Sequence, residues 1–392
     1  MTDQATAPGH EGTPRPSRSA KHRTPPRFAI RTSMWIRRAL LRAADRAVPA
    51  QVALLEHVHQ FTATHLLAAM GELGIADHLS NGPKTADELA ALVQCDADAL
   101  HRGLRAAAAC NLVRLDKRGR FHTSRLLAPM RSTDPSATAD WCRYIASPSL
   151  QVAWADLAET IRSGQNGFRR INGMSTFEWF DAHPDEGRRF ASGLGGLTRA
   201  ESQMIIAAYG FPETGTVCDV AGGSGVLLGE ILAARPGLQG VLVEAPLMLS
   251  AAATYLTSIG LANRVEFVEG DLFGHIEATA DIYLLKWILH DWDDATCEKL
   301  LKNVASTMPS DARLITIEGS QEPNRVHPRF SMIDLQMLTM TEGGKERSQS
   351  EIEQLLTNAG LRPLRTRRTA TDLLLIEATA PAPDPTHPKE VD

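Results

Sequence analysis

What the chain lacks narrows it first. Its 392 residues hold five cysteines, Cys95, Cys110, Cys142, Cys218 and Cys297, odd in number and scattered. No two form a Cys-x-x-Cys pair, which argues against a disulfide framework or zinc cluster and suits a reducing cytoplasm. No apolar run approaches the roughly 20 residues needed to span a bilayer. An excess of positive charge is missing too: 41 Lys and Arg against 46 Asp and Glu give a net charge of -5, the wrong sign for a chain that neutralises phosphates. Aromatic residues make up only 5%, so where they cluster carries information. What is there is an ordinary globular composition, 43% hydrophobic and long enough for two or three domains.

Residues 1–33 are rich in Pro, Ser, Thr and Arg and predict disorder. Residues 31–46 combine Met34, Trp35, Ile36, Leu40 and Leu41 with five arginines. This predicts a short basic amphipathic helix, either a solvated arm leading into the first domain or a surface for a membrane or acidic partner. Residues 1–50 are thus expected as a disordered or basic arm, and 381–392 as a disordered tail. Over 51–75 apolar residues recur at helical spacing for about six turns, apolar on two sides, a pattern that packs against a second chain. Thr85 and Glu88 form a capping box for a helix over 86–93. A second helix follows at 96–110, then a hairpin of 112–115 and 120–122. Helix, helix, hairpin is the winged-helix pattern, so a DNA-binding regulator is a rival reading. Asp96 and Asp98 beside His101, Arg102 and Arg105 make a poor phosphate-facing surface. Residues 136–210 read as helical and concentrate the scarce aromatics, most as core and some, such as Trp179 and Phe180, as the lining for a flat apolar ligand.

From 211 onward strands and helices alternate, the signal of a parallel, doubly wound α/β sheet. Strands are expected at 216–221, 240–243, 264–268, 281–292, 314–317 and 373–378, with helices at 226–234, 246–259, 293–308 and 349–359. Ligands bind at the carboxyl ends of strands in such sheets. The first tip carries Gly222-Gly223-Ser224-Gly225, a tight turn without the spacing of a dinucleotide fingerprint or a P-loop. The second ends at Glu244, placed to accept from ribose hydroxyls. Beyond the third lies Asp271, able to accept from an adenine amine, with Leu272 and Phe273 against the ring. Together the three tips point to a nucleoside site. The apolar stretch 281–292 reads as a strand that runs to His290 and Asp291, bringing a histidine and a carboxylate to the same edge. With a reference pKa of about 6.5, histidine suits general-base work near neutral pH. No histidine or carboxylate pair has metal-ligand spacing.

These motifs, Asp219-Val220-x-Gly222-Gly223-Ser224-Gly225, Gly270-Asp271-x-Phe273, Lys286 to Trp292 and Gly343 to Ser348, stand in an order and spacing that resembles one family. From about 217 to 360 the chain is similar to the S-adenosylmethionine-dependent small-molecule O-methyltransferases, typified by plant caffeic acid and bacterial polyketide O-methyltransferases. The resemblance implies a class I methyltransferase, Rossmann-like sheet over 206–380. It also implies a mostly helical, winged-helix-like dimerisation and substrate-lid domain over 51–205, and a homodimer. It assigns His290 as general base, with Glu318 and Glu346 as the acids that flank its ring. Asp219, Ala221, Gly222, Gly223, Gly225, Glu244, Asp271, Leu272 and Lys286 match positions around S-adenosylmethionine. Glu244 replaces the family's usual aspartate. Ala221 replaces its first glycine, which suits a backbone contact if φ is negative.

Asp291, Met337, Trp179 and Phe180 are the expected contacts to an aromatic or polyketide acceptor. Gly193-Leu194 and Thr341 differ from the plant enzymes and suggest another acceptor than theirs. Neither nucleic acid nor stable membrane association is expected. The leading expectation is methylation of a hydroxyl, phenolic in character. The alternatives are a relative that binds the cofactor but catalyses hydroxylation or cyclisation, and the winged-helix regulator.

Overall fold

Two prolines start the first two helices. Pro26 precedes α1 (Arg27–Arg46) and Pro49 precedes α2 (Ala50–Glu72), with φ of -54° and -57°. The computed structural model describes residues 26–270, 272–274 and 276–380. The expectations for 1–25, for 381–392 and for Asp271 lie outside them. α1 begins within the stretch expected to be disordered, because Phe28 and Ile30 extend its apolar pattern backwards. α2 stops short of Ile75: Gly74 takes a left-handed φ of 59°, and α3 (Ile75–Ser80) starts afresh. The Thr85–Glu88 capping box opens α4 (Ala86–Val93) and Asp96 caps α5 (Ala97–Ala109). β1 (Val113–Leu115) and β2 (Phe121–Thr123) form the antiparallel hairpin. Leu79, Leu89, Leu104 and Phe121 close a core beneath it.

Six more helices follow: α6 (Thr138–Ile145), α7 (Pro148–Ala155), α8 (Leu157–Ser163), α9 (Gly167–Asn172), α10 (Thr176–Ala182) and α11 (Pro184–Tyr209). α11 crosses from the helical half onto the sheet. Gly193 and Gly196 make its close approach to α6 possible, since a Cβ at Gly193 would lie 2.9 Å from Trp141 Cα and one at Gly196 would overlap the Ser136 carbonyl. Gly193 is therefore a packing requirement as well as a departure from the plant pattern.

The main sheet has seven strands: β3 (Thr214–Val220), β4 (Gly237–Glu244), β5 (Val265–Glu269), β6 (Ile282–Lys286), β7 (Arg313–Glu318), β8 (Arg362–Arg368) and β9 (Leu374–Thr379). Its order is β5-β4-β3-β6-β7-β9-β8. β3 to β7 are parallel, so the chain reverses direction across the sheet between β3 and β6, the crevice where ligands bind. The sheet is not wholly parallel as expected: β9 runs antiparallel to β7 and β8. Only residues 369–373 join β8 to β9, too few for a crossover. β8 went unseen because Arg-Pro-Leu-Arg-Thr-Arg-Arg has no apolar run; its arginines and proline suit an exposed edge. Helices α12 (Val226–Ala234), α13 (Pro246–Ser258), α14 (Asp294–Thr307), α15 (Pro328–Met340) and α16 (Gln349–Asn358) complete the domain. β6 is buried on both faces, Tyr283 and Leu285 in one core, Ile282 and Leu284 in the other. Among the described residues no helix is long and apolar enough to cross a membrane.

β6 also corrects the longest strand expectation. It ends at Lys286, not at His290: Trp287 takes φ 56°, and Leu289–Asp291 form a single 3-10 turn. The apolar, aromatic pattern looks like strand, but the backbone amides of Ile288 and Leu289 bond a carboxylate instead of a neighbouring strand.

Candidate active site

The turn after β3 is built from left-handed residues. Ala221, Gly223 and Gly225 have φ of 53°, 57° and 70°. For Ala221 the negative φ that would suit an alanine is not met, and the left-handed conformation strains it by about 1 kcal/mol. Its N–H donates to the Val243 carbonyl at 2.8 Å. Gly222 is fixed by Asp219, whose Cγ would lie 2.5 Å from a Cβ there. Asp219 is buried, its Oδ2 has no partner among the described residues, and burial pushes its pKa up to about 7 against the pull of Lys286. Glu244 accepts from the amides of Gly223 at 2.8 Å and Ala245 at 2.9 Å; burial raises its pKa and these bonds oppose the rise. Leu272 packs half-buried on the core, and its carbonyl accepts from Asn303 at 2.9 Å. A buried and a half-buried carboxylate, both held above their ordinary pKa beside a glycine turn, fit a ligand that brings hydroxyl donors and positive charge, as the nucleoside and sulfonium of S-adenosylmethionine do.

Lys286, expected on the adenosyl side, directs its ammonium to α11. It donates to Thr198 Oγ1 at 3.0 Å and pairs with Glu201 Oε2 at 3.2 Å. Glu201 also takes bonds from Trp287 Nε1 at 3.2 Å and Arg329 Nη2 at 2.5 Å. No local pattern marked Glu201, whose role arises only because α11 crosses the sheet edge.

His290 sits in the turn beyond β6 with its side chain 12% exposed. Nδ1 lies 2.7 Å from Glu346 Oε1, and Nε2 lies 3.5 Å from Asp291 Oδ1. With the carboxylate at Nδ1, the neutral ring carries its proton there and its lone pair on Nε2. Burial lowers the imidazole pKa, but Asp291, the Glu346 hydrogen bond and Glu318 outweigh it and hold it at about 9. Burial raises the carboxyl of Asp291, opposed by His290.

Glu318 does not hold the ring, as expected of it. Its Oε1 accepts from the amides of Ile288 at 3.1 Å and Leu289 at 2.9 Å, so it shapes the turn that carries His290. Burial pushes Glu318 up to about 7, with His290 pulling the other way. Arg347, 1% exposed, clamps the same turn: Nη1 donates to the Leu289 carbonyl at 2.5 Å, Nη2 to that of Trp292 at 2.7 Å, and Nε to Asp294 at 2.9 Å. Asp334 on α15 accepts from the Glu346 amide at 2.8 Å. Gly319 is required because a Cβ there would overlap Glu346 Oε2. Arg347 was within reach of sequence reasoning, since it lies inside the Gly343 to Ser348 motif.

On the acceptor side the aromatics touch in a run. Trp292 stacks on Phe177 at 6.1 Å; Phe177 meets Phe180 at 6.4 Å; Phe180 meets Phe190 at 4.8 Å and Tyr144 at 5.9 Å. Thr176 bonds the Met340 carbonyl at 2.6 Å and ties α10 to α15, where Met337 is buried. Trp179 is more fully engaged than expected of a ligand contact: Nε1 donates to Glu186 at 3.2 Å and its ring stacks on His183 at 3.7 Å. Phe177 and the fully buried Tyr144 belong to the same aromatic cluster as Phe180. The Tyr144 hydroxyl is fully buried without a partner among the described residues, and burial, Glu186 and Asp291 hold it protonated.

A parallel sheet edge that gathers a glycine turn, a carboxylate at the next tip and a buffered histidine, under an aromatic helical cover, defines a small-molecule methyltransferase. The O-methyltransferase domain family matches residues 154–362 and its dimerisation domain matches 55–127, and the chain belongs to this family of S-adenosylmethionine-dependent O-methyltransferases. The catalytic match takes in the helices from 154 onward and the sheet from β3 to β7. A phenazine O-methyltransferase of Lysobacter antibioticus is 32% identical, covering 85% of this chain and 97% of that one. A mitomycin biosynthesis 6-O-methyltransferase of Streptomyces lavendulae is 35% identical over 74% and 83%. The crystal structure of human N-acetylserotonin methyltransferase with S-adenosylmethionine superposes with a TM-score of 0.79 at 25% identity, covering 86% of this chain and 99% of that one.

Proposed function

We propose that the protein methylates a phenolic hydroxyl of a small, flat secondary metabolite, with His290 Nε2 as the proton acceptor, and that it works as a cytoplasmic homodimer. The observation that carries this reading is the 2.7 Å bond between His290 Nδ1 and Glu346, which leaves Nε2 as the basic nitrogen beside Asp291 and the aromatic run. The dimer rests on the match to the family's dimerisation domain.

S-adenosylmethionine supplies a methyl group on a sulfonium, already a good leaving group. The chain's task is alignment and proton removal. Asp219, Gly222, Gly223, Gly225 and Glu244 hold the nucleoside end, with Lys286 behind them; Asp271 and Leu272 are assigned there by family resemblance. The aromatic run and Met337 hold the acceptor flat, and Asp291 stands beside its hydroxyl. Near-attack alignment lowers such barriers by about 7 to 11 kcal/mol. Removal of the hydroxyl proton by Nε2 adds about 100- to 10,000-fold. Glu346 then balances the imidazolium. With its pKa near 9, His290 carries a proton in the free protein at neutral pH, so the productive form is the deprotonated ring with phenol or, equivalently, the imidazolium with phenolate.

The test is incubation with S-adenosylmethionine and a panel of hydroxyphenazines, naphthols and hydroxyquinones, read by mass spectrometry. Methylated product with S-adenosylhomocysteine is expected. Full activity in His290→Ala would remove the base assignment, and cofactor binding without product across the panel would favour non-methylating chemistry.

A further inference from the structure

α1 is a 20-residue helix with no buried residue, although it carries Phe28, Trp35, Ile36, Leu40 and Leu41. Helices in proteins draw most of their stability from packing of an apolar face, so such a helix calls for a covering surface. Its own chain covers one side only. Arg27 bonds the Arg368 carbonyl, and Ile30, Met34 and Arg38 are half-buried beside the turn near Asp372. Helical spacing puts Phe28, Ile36, Ala39, Leu40 and Ala43 on the other side, with Trp35 at its edge where one flank of the ring borders the cavity beside Asp372; Phe28 is 73%, Trp35 68% and Leu40 65% exposed.

We infer that this outer face of α1 packs on a second copy of the chain and extends the dimer surface beyond the family's dimerisation domain. The proposal rests on the homodimer reading above. Continuity supplies the occupant. Only Ala47, Val48 and Pro49 separate α1 from α2, and His57 of α2 pairs with Asp45 of α1 at 3.7 Å. α2 lays bare Leu54, Leu55, Val58 and Phe61, each about as exposed as the α1 residues, and the dimerisation match begins at residue 55. The two apolar surfaces meet end to end, so a partner seated on α2 reaches α1. Arg37 and Arg42 on the flanks suit a polar rim. An anionic membrane is the competing occupant that these arginines suggest.

The experiment compares the full chain with Trp35→Glu/Leu40→Glu, changes at exposed sites that keep helix-forming residues. Sedimentation velocity over a dilution series reads the dimer dissociation constant, circular dichroism reads folding, and co-sedimentation with phosphatidylglycerol vesicles reads membrane binding. The expected result is a native spectrum with a dissociation constant raised at least about tenfold. An unchanged constant overturns the inference, with or without a loss of vesicle binding. A wild-type chain that is monomeric at every concentration overturns the homodimer reading itself, and α1's role with it.

Discussion

The glycine-turn edge and the turn that carries His290 lie on neighbouring strands but are built on opposite principles. At the tip of β3 the buried Asp219 keeps an oxygen without a partner among the described residues and Ala221 bears a strained φ, while Glu244 at the tip of β4 is half-buried and held by two amides. Beyond β6 the reverse holds. Glu346, Glu318, Arg347 and Gly319 together fix a single 3-10 turn and the ring it carries. The first region leaves a buried carboxylate oxygen available to a ligand's donor; the second is preorganised by its own chain, which is where the proposed proton transfer needs fixed geometry.

The predictions set the two regions against each other. The largest effect is expected for His290→Ala: kcat falls about 100- to 10,000-fold while calorimetry finds unchanged affinity for S-adenosylmethionine. A matching loss of cofactor affinity would mean the two regions are one. Next comes Arg347→Ala, which takes the guanidinium donors from two carbonyls of the turn and leaves them only the weaker bonds of Cys297 and the Trp292 amide. Urea denaturation should show a loss of about 2 to 3 kcal/mol, with kcat lowered and cofactor affinity kept.

The pH dependence follows from the raised pKa of His290. kcat/KM for the acceptor should climb about tenfold per pH unit from pH 6 and level near 9, and in Glu346→Gln this shoulder should move toward 6.5. The linked stability has the opposite sign. A pKa raised on folding stabilises fully below about 6.5, and that contribution is lost as pH rises through about 9. Glu244→Gln should weaken cofactor binding about tenfold and leave the pH shoulder in place. The smallest effect is Ala221→Gly. Relief of the left-handed φ should raise stability by about 1 kcal/mol or less in thermal unfolding, without moving kcat.

How much of this was legible in the sequence depends on whether the cause was local. The Thr85–Glu88 box and the limits of α12 follow from residues within one helical turn, and both were readable. The strand tips that carry Glu244 and Glu318 were readable too, because buried parallel strands are short apolar runs. The end of β6 was not. It is set by Glu318, thirty positions away, taking the amides of Ile288 and Leu289. The engagement of Lys286 by Thr198 and Glu201 was equally hidden, since it depends on where α11 crosses the edge. β8 escaped because an exposed edge strand has no apolar signature.

α11 is a single rod of 26 residues, about 39 Å long. Along that length Gly195 sits against Ser224 of the glycine turn, Thr198 and Glu201 grip Lys286, and Gly193 beds into α6 beneath the aromatic cluster. A straight helix moves as one lever. The seat of the glycine turn, the Lys286 pair and the packing under the aromatic cluster are therefore all set by the placement of this one element.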